Sequence, residues 1–341
     1  MAFMGKRTLI YILLLKIVVP VLAQTGGDNI YEFLNLTHSG LVSSIGGSNI
    51  SLGGDNLNMA YHNPSLLAKG MDNNLVLNYS NYMAGINYGQ AMYSRSFSGR
   101  GSWGAGLTYL NYGTFTESDA SGLITGTFKA SEYAFSLIWS RQIDSLFSVG
   151  IDFKPVLSHL ESYTSFGFAF DIGASWHNPS EMFSAGLVIK NAGFQVTTYA
   201  GEARQKLPFE IQAGLSQRLS HAPLRFSVTL RHLEKFDLTA PEESNREGSS
   251  EFFENLMRHA IIGAEILPHR NFYLSTGFNY QRRRELMVES NASTAGFSWG
   301  FGIRTSMLDI EFGRATYHLA GSSNHISLMV KPGLFYQRSR N

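Results

Sequence analysis

From Asn74 onward the chain keeps a period of two, and this period constrains its fold more than any other feature. Phe166, Phe168, Phe170, Ile172, Ala174 and Trp176 alternate with Gly167, Ala169, Asp171, Gly173, Ser175 and His177. Leu224, Phe226, Val228 and Leu230 alternate with Arg225, Ser227, Thr229 and Arg231, and Phe297, Trp299, Phe301 and Ile303 with Ser298, Gly300, Gly302 and Arg304. Successive strand side chains point to opposite faces, so each set lies on one face. A soluble β-sandwich also alternates, but two features favour a membrane barrel. Large aromatics crowd the apolar face near strand ends, as a membrane girdle requires, and the other face keeps full charges at Asp152, Lys154, Asp171, Glu210, Arg304, Asp309, Glu311 and Lys331. Charged residues make up 16% of the chain, against about 25% in soluble domains, yet the mean hydropathy is only -0.07. Lipid on one side and a polar lumen on the other account for both values.

The connections give an independent reading. About 14 strands are expected, an even number as bacterial barrels require. Every second link is short: 98–101, 143–146, 178–182, 220–223, 267–270 and 305–308. The others are mostly longer: 111–128, 191–206, 235–257 and 282–295. Short periplasmic turns and long external loops are the asymmetry of outer-membrane barrels, and it puts both chain ends on the periplasmic side.

The N-terminus reads as a signal peptide over residues 1–23. Lys6 and Arg7 precede an apolar stretch from Leu9 to Leu22, and Val21 and Ala23 suit cleavage after Ala23. A membrane-anchoring helix is the alternative; the stretch is short and interrupted for a span of about 20 apolar residues. The chain has no Cys, so no disulfide supports the exported protein. Residues 24–73 form a Gly-, Ser- and Asn-rich segment and residues 74–341 the barrel. The segment is expected to plug the lumen. Its paired Gly46 and Gly47 permit close backbone approach, Asn63 caps a short helix and Pro64 suits its first turn. Asp55 is expected to pair with a luminal arginine, Arg218, Arg225 or Arg304. The luminal charges fit either an open channel or tethers for such a plug, and the plug is the preferred reading.

Little in the chain points to catalysis. Gly296-Phe297-Ser298-Trp299-Gly300 matches a hydrolase pattern, followed by Asp309, His318 and His325, but that chemistry needs a strand-to-helix turn where this sequence alternates strictly. No catalytic residue, cofactor or metal site is expected, since the ten His show no ligand spacing. With a net charge of +1 and no dominant basic patch, no nucleic-acid partner is expected. In the external connection at 242–257, Phe252, Phe253, Leu256 and Met257 share one face of a short helix, which reads equally as a lid, an interfacial helix or a docking patch. Arg282, Arg283 and Arg284 either meet lipopolysaccharide phosphates or form a solvated basic loop.

Three N-terminal stretches carry a family resemblance. Tyr31-Glu32-Phe33-Leu34-Asn35-Leu36, Ser44-Ile45-Gly46-Gly47 and Asn63-Pro64-Ser65-Leu66-Leu67 resemble the opening of the PorV/PorQ group of FadL-like outer-membrane proteins, found in Bacteroidetes that use type IX secretion. The resemblance implies an outer-membrane barrel without enzymatic activity. Its partners would be a PorZ-like surface protein that it anchors, with a sortase-like PorU and a shuttle barrel, PorV, in one attachment complex. Exported cargo is processed there and joined to lipopolysaccharide. The external loops would then be the binding site, with Phe115, Phe194, Tyr199, Phe252, Phe253 and Met287 as candidate contacts. Two other readings stay open: a FadL-like transporter of hydrophobic compounds, and a purely structural barrel.

Overall fold

The computed structural model describes residues 29–82, 85–180, 182–199, 201–238, 249–286, 294–318 and 321–333. The expected signal peptide and Met287 lie outside these residues. The strands are β1 (Leu75–Asn81), β2 (Asn87–Phe97), β3 (Gly101–Ser118), β4 (Ile124–Gln142), β5 (Phe147–Leu160), β6 (Tyr163–Asn178) and β7 (Phe183–Thr197). They continue as β8 (Glu210–Arg218), β9 (Leu224–Leu230), β10 (Ala260–His269), β11 (Phe272–Asn279), β12 (Phe297–Arg304), β13 (Leu308–His318) and β14 (Gly321–Val330). Each strand pairs antiparallel with its sequence neighbours, and β1 pairs with β14 from Leu75↔Val330 to Asn81↔Asn324, which closes the barrel. This is the all-β, 14-strand transmembrane antiparallel barrel that the alternation implies.

The two faces separate as the period requires. Phe135, Ile172, Leu187, Trp299 and Ile326 point outward and are exposed, whereas Ser136, Asp171, Val188, Ser298 and Ser327 point inward and are buried. An outward apolar belt on a closed sheet leaves no unpaired strand edge in lipid, the condition for a strand-built membrane span. No helix among the described residues is long and apolar enough to cross a membrane. The chain is therefore an outer-membrane barrel.

The short turns fall where the sequence puts them, between β2 and β3, β4 and β5, β6 and β7, β8 and β9, β10 and β11, and β12 and β13. One of the expected external loops is mostly strand, and a second, 191–206, begins as strand up to Thr197. The stretch 111–128 is mostly hairpin: β3 and β4 run to Ser118 and from Ile124, beyond the roughly 9–11 residues that a membrane strand needs. Asp119 closes its tip by accepting from the backbone N–H groups of Ser121 (2.9 Å) and Leu123 (3.0 Å). Phe115 therefore lies on β3, stacked on Phe128 at 5.1 Å, and Phe194 lies on β7 facing outward. Register shifts between Asn111 and Thr114 and between Phe170 and Ile172 let pairing continue past residues that break the pattern.

Inside the barrel, residues 29–71 fold into short helical pieces: a 3-10 turn at Glu32–Asn35, helix α1 (Gly40–Ser44), helix α2 (Met59–His62) and 3-10 turns at Pro64–Leu66 and Lys69–Met71. Asn63 caps the Pro64 turn as its sequence suggests, its side chain accepting from Ser65 N. Luminal glycines make room for this segment. A Cβ at Gly313 would meet the Gly40 backbone, and one at Gly150 the Pro64 carbonyl. Gly313→Leu is accordingly expected to lower the unfolding midpoint in detergent, followed by circular dichroism, at a cost of about 1–3 kcal/mol. An unchanged midpoint would mean that the segment moves aside freely.

Candidate functional site: the occupied lumen and the external rim

The interior segment touches luminal side chains around the barrel. Ser39 caps α1, its Oγ accepting from Val42 N, and Gly40 N donates to Ser327 Oγ at 2.9 Å. Glu311 is the hub. Its buried carboxylate accepts from Leu41 N (3.3 Å), Ser39 Oγ (3.3 Å), Asn56 Nδ2 (2.6 Å) and Asn58 Nδ2 (3.4 Å). Hydroxyl pairs continue the attachment at Ser44–Ser275 (2.6 Å) and Ser51–Ser216 (2.7 Å), and Ser48 donates to Gln212 at 3.0 Å. Asn63 Nδ2 donates to Ile50 O at 2.9 Å. Nearer the long-loop end, the Tyr31 and Ser165 hydroxyls are 2.6 Å apart and Ile30 N donates to Lys206 O at 2.8 Å.

The paired glycines work through backbone conformation. Gly46 and Gly47 have φ of 107° and 96°, a region that side-chain-bearing residues rarely enter. A Cβ at Gly46 would strike Ile261, and one at Gly47 the Arg282 guanidinium. Sequence reasoning placed this pair in a confined path, and the neighbours supply the confinement.

Charges inside the barrel are largely matched to each other rather than to the segment. Lys154 pairs with Asp171 and lies 3.9 Å from Asp152, with all three side chains fully buried. Arg231 grips Glu210 through two hydrogen bonds of 2.6 and 2.7 Å, and Arg225 grips Glu265 through two of 2.6 Å. This corrects the expectation for Asp55, which is exposed beside Gly70 and makes no ion pair among the described residues. Of its three proposed partners, Arg225 is held by Glu265 and Arg304 lies over the Tyr273 ring at 4.7 Å. The segment is thus held mainly by neutral donors, several of which share the one carboxylate of Glu311.

His38 sits at the centre, edge-on to Tyr61 (4.8 Å) and Tyr88 (5.4 Å). Burial, and then the nearby Lys190 ammonium, push its imidazole down to about 3. Ser298, of the hydrolase-like pattern, is the second residue of β12, with no helix after it, and donates to Ser44 O at 2.9 Å.

The external rim differs from the sequence-based contact set. Tyr199 is half-buried and points inward, its hydroxyl 2.5 Å from Ser158 Oγ. Arg282 also turns inward, its guanidinium 4.2 Å from the centre of the Tyr317 ring. It is therefore not a lipid-facing phosphate contact. Arg282, Arg283 and Arg284 belong to helix α4 (Tyr280–Leu286), and Arg284 pairs at 2.7 Å with Glu254 of helix α3 (Ser249–His259). Phe252 and Phe253, also on α3, are 60% and 63% exposed. A cavity of about 460 Å³ opens at the short-turn end, lined largely by serines with Lys69, Arg141 and His177.

Fold and lumen together define a closed transmembrane barrel that carries an N-terminal segment inside it. Its solved likenesses are FadL-type outer-membrane barrels. It is similar to the Ralstonia pickettii toluene transporter TbuX (11% identity, 87% of this chain and 98% of that one, TM-score 0.53) and to the P. putida toluene transporter TodX (11%, 87% and 98%, 0.52). A Pseudomonas aeruginosa FadL homologue is also similar (10%, 86% and 98%, 0.50). At these identities the likeness establishes the fold alone. No family model and no curated protein matches the chain.

Two outcomes are expected. Removing one partner of a buried ion pair strands the other charge, so Arg231→Met should destabilise the barrel by about 3–5 kcal/mol, while adding Glu210→Gln should restore much of that loss. Urea unfolding of the single and double variants checks this. Because His38 is neutral when folded but has an ordinary pKa when unfolded, the unfolded state binds more protons below about pH 6.5. Stability should therefore fall as pH drops from there towards 3, by up to about 1.4 kcal/mol per unit from this group. The melting temperature of His38→Gln should depend less steeply on pH between 6.5 and 5.

Proposed function

We propose that this chain is a PorQ-like component of a type IX attachment complex, a non-enzymatic outer-membrane anchor for a PorZ-like surface protein. The observation that carries the reading is that the three stretches of the family resemblance all lie in the segment fastened into the lumen. Tyr31 reaches Ser165, Gly46 and Gly47 abut Ile261 and Arg282, and Asn63 bonds Ile50 while Gly173 and Gly186 leave space beside it. A lumen held in this way acts as a plug and makes the barrel a rigid platform, with the β3–β4 hairpin projecting from the long-loop end as a fixed contact element. Phe115 and Phe128 on that hairpin are the better-placed contacts. A PorU-like sortase and a PorV-like shuttle would meet the same assembly beside lipopolysaccharide.

The fold likeness supports a second reading, since the TbuX and TodX structures are described as toluene transporters. In that reading the chain passes hydrophobic compounds, and the interior segment gates the path.

Deleting the chain separates the two readings. The anchor reading expects cargo and the surface partner to leave the cell surface while toluene uptake stays unchanged. Retained surface attachment together with lost uptake would overturn it and establish transport.

A further inference from the structure

Helix α3 is amphipathic in the inverted sense. Its buried side chains are polar: Asn255, Arg258 and His259 are 5%, 3% and 4% exposed. Asn255 accepts from Leu238 N at 3.1 Å, and the His259 ring nitrogens lie 2.6 and 3.1 Å from the carbonyl oxygens of Arg231 and Phe236. Its outward side chains, Phe252, Phe253 and Leu256, are apolar. A helix docked on a soluble protein shows the opposite arrangement.

The exposed face also continues the lipid-facing surface. Leu230, the last outward residue of β9, lies opposite Ala213 and Ala260. Leu233 follows, its N–H bonded to Ile211 O at 3.0 Å, and then Phe236, whose ring lies 5.8 Å from that of Phe252. Leu233 and Phe236 are 42% and 60% exposed. The apolar belt thus runs from the strand ends onto the helix.

We propose that α3 is an interfacial helix that lies in the outer leaflet with Phe252, Phe253 and Leu256 among the lipid acyl chains. Aromatic rings are favoured at that depth, and a helix with a tethered polar face and a free apolar face suits the headgroup boundary. This assigns Phe252 and Phe253 to lipid, outside any protein-contact surface, and it holds whether or not the chain anchors a partner. The helix would fix the depth and tilt of the barrel on the β8–β10 side, where the strands are short.

The natural chain has no Cys, so a single nitroxide can be placed at will. The full barrel carrying labelled Phe253→Cys would be reconstituted into phosphatidylcholine–phosphatidylglycerol vesicles. The references are Ile262→Cys on the lipid face and Leu123→Cys at the β3–β4 tip. Collisions with oxygen should exceed those with a water-soluble nickel chelate at position 253, as at 262, with the ratio reversed at 123. A ratio at 253 matching that at 123 would overturn the proposal. Leu256→Cys gives a second reading at the same depth and decides the matter if the first variant does not fold.

Discussion

Closing β1 onto β14 is the constraint on which the rest depends. It removes every free strand edge from the membrane, so the sheet needs no help from outside. The same closure makes the inner face a sealed polar surface, and buried polar groups without partners are costly. Some luminal groups satisfy each other, as Arg225 and Glu265 do from directly opposed positions on β9 and β10. Others need a guest, and the interior segment is that guest. Its serines, its asparagines and its α1 backbone N–H groups answer Ser327, Ser275, Ser216, Gln212 and Glu311.

The division of labour between charge and hydroxyl follows from the segment's composition. Asp55 is its one charge within the Gly- and Ser-rich stretch 39–67 and stays at the surface. Neutral donors therefore do the fastening, with Glu311 as the single charged acceptor that several of them share. Such bonds are individually modest, and their geometry depends on the luminal glycines keeping the two backbones close. Small residues on the wall and small polar residues on the segment form one design.

Much of this was legible in the sequence. The faces of β6, β9 and β12 follow from alternation, and the short turns follow from loop sorting. What escaped was whatever depends on pairing between distant residues. The stretch 111–128 reads as a long external connection, yet cross-strand bonding carries β3 and β4 through most of it. Of the three arginines offered to Asp55, Arg225 already faces Glu265, which only the register shows, and Arg304 lies over Tyr273. The apolar stripe of α3 was visible, but the burial of its polar side was not. Tyr199 and Arg282 sit in segments that read as external, and both turn inward to partners far along the chain.

The bonds of α1 have a consequence for how the protein is made. Gly40 meets Ser327 and Leu41 meets Glu311, so the part of the barrel segment synthesised first is seated by strands synthesised last. Contacts of such long sequence separation form slowly. Until β13 and β14 are made, Tyr31, Ser48 and Ser51 can meet β6 and β8, but the start of α1 has no wall to bind. Closure of the seam and seating of α1 thus depend on the same last strands, β13 and β14. A chain lacking β13 and β14 would lose both the seam and the seat of α1.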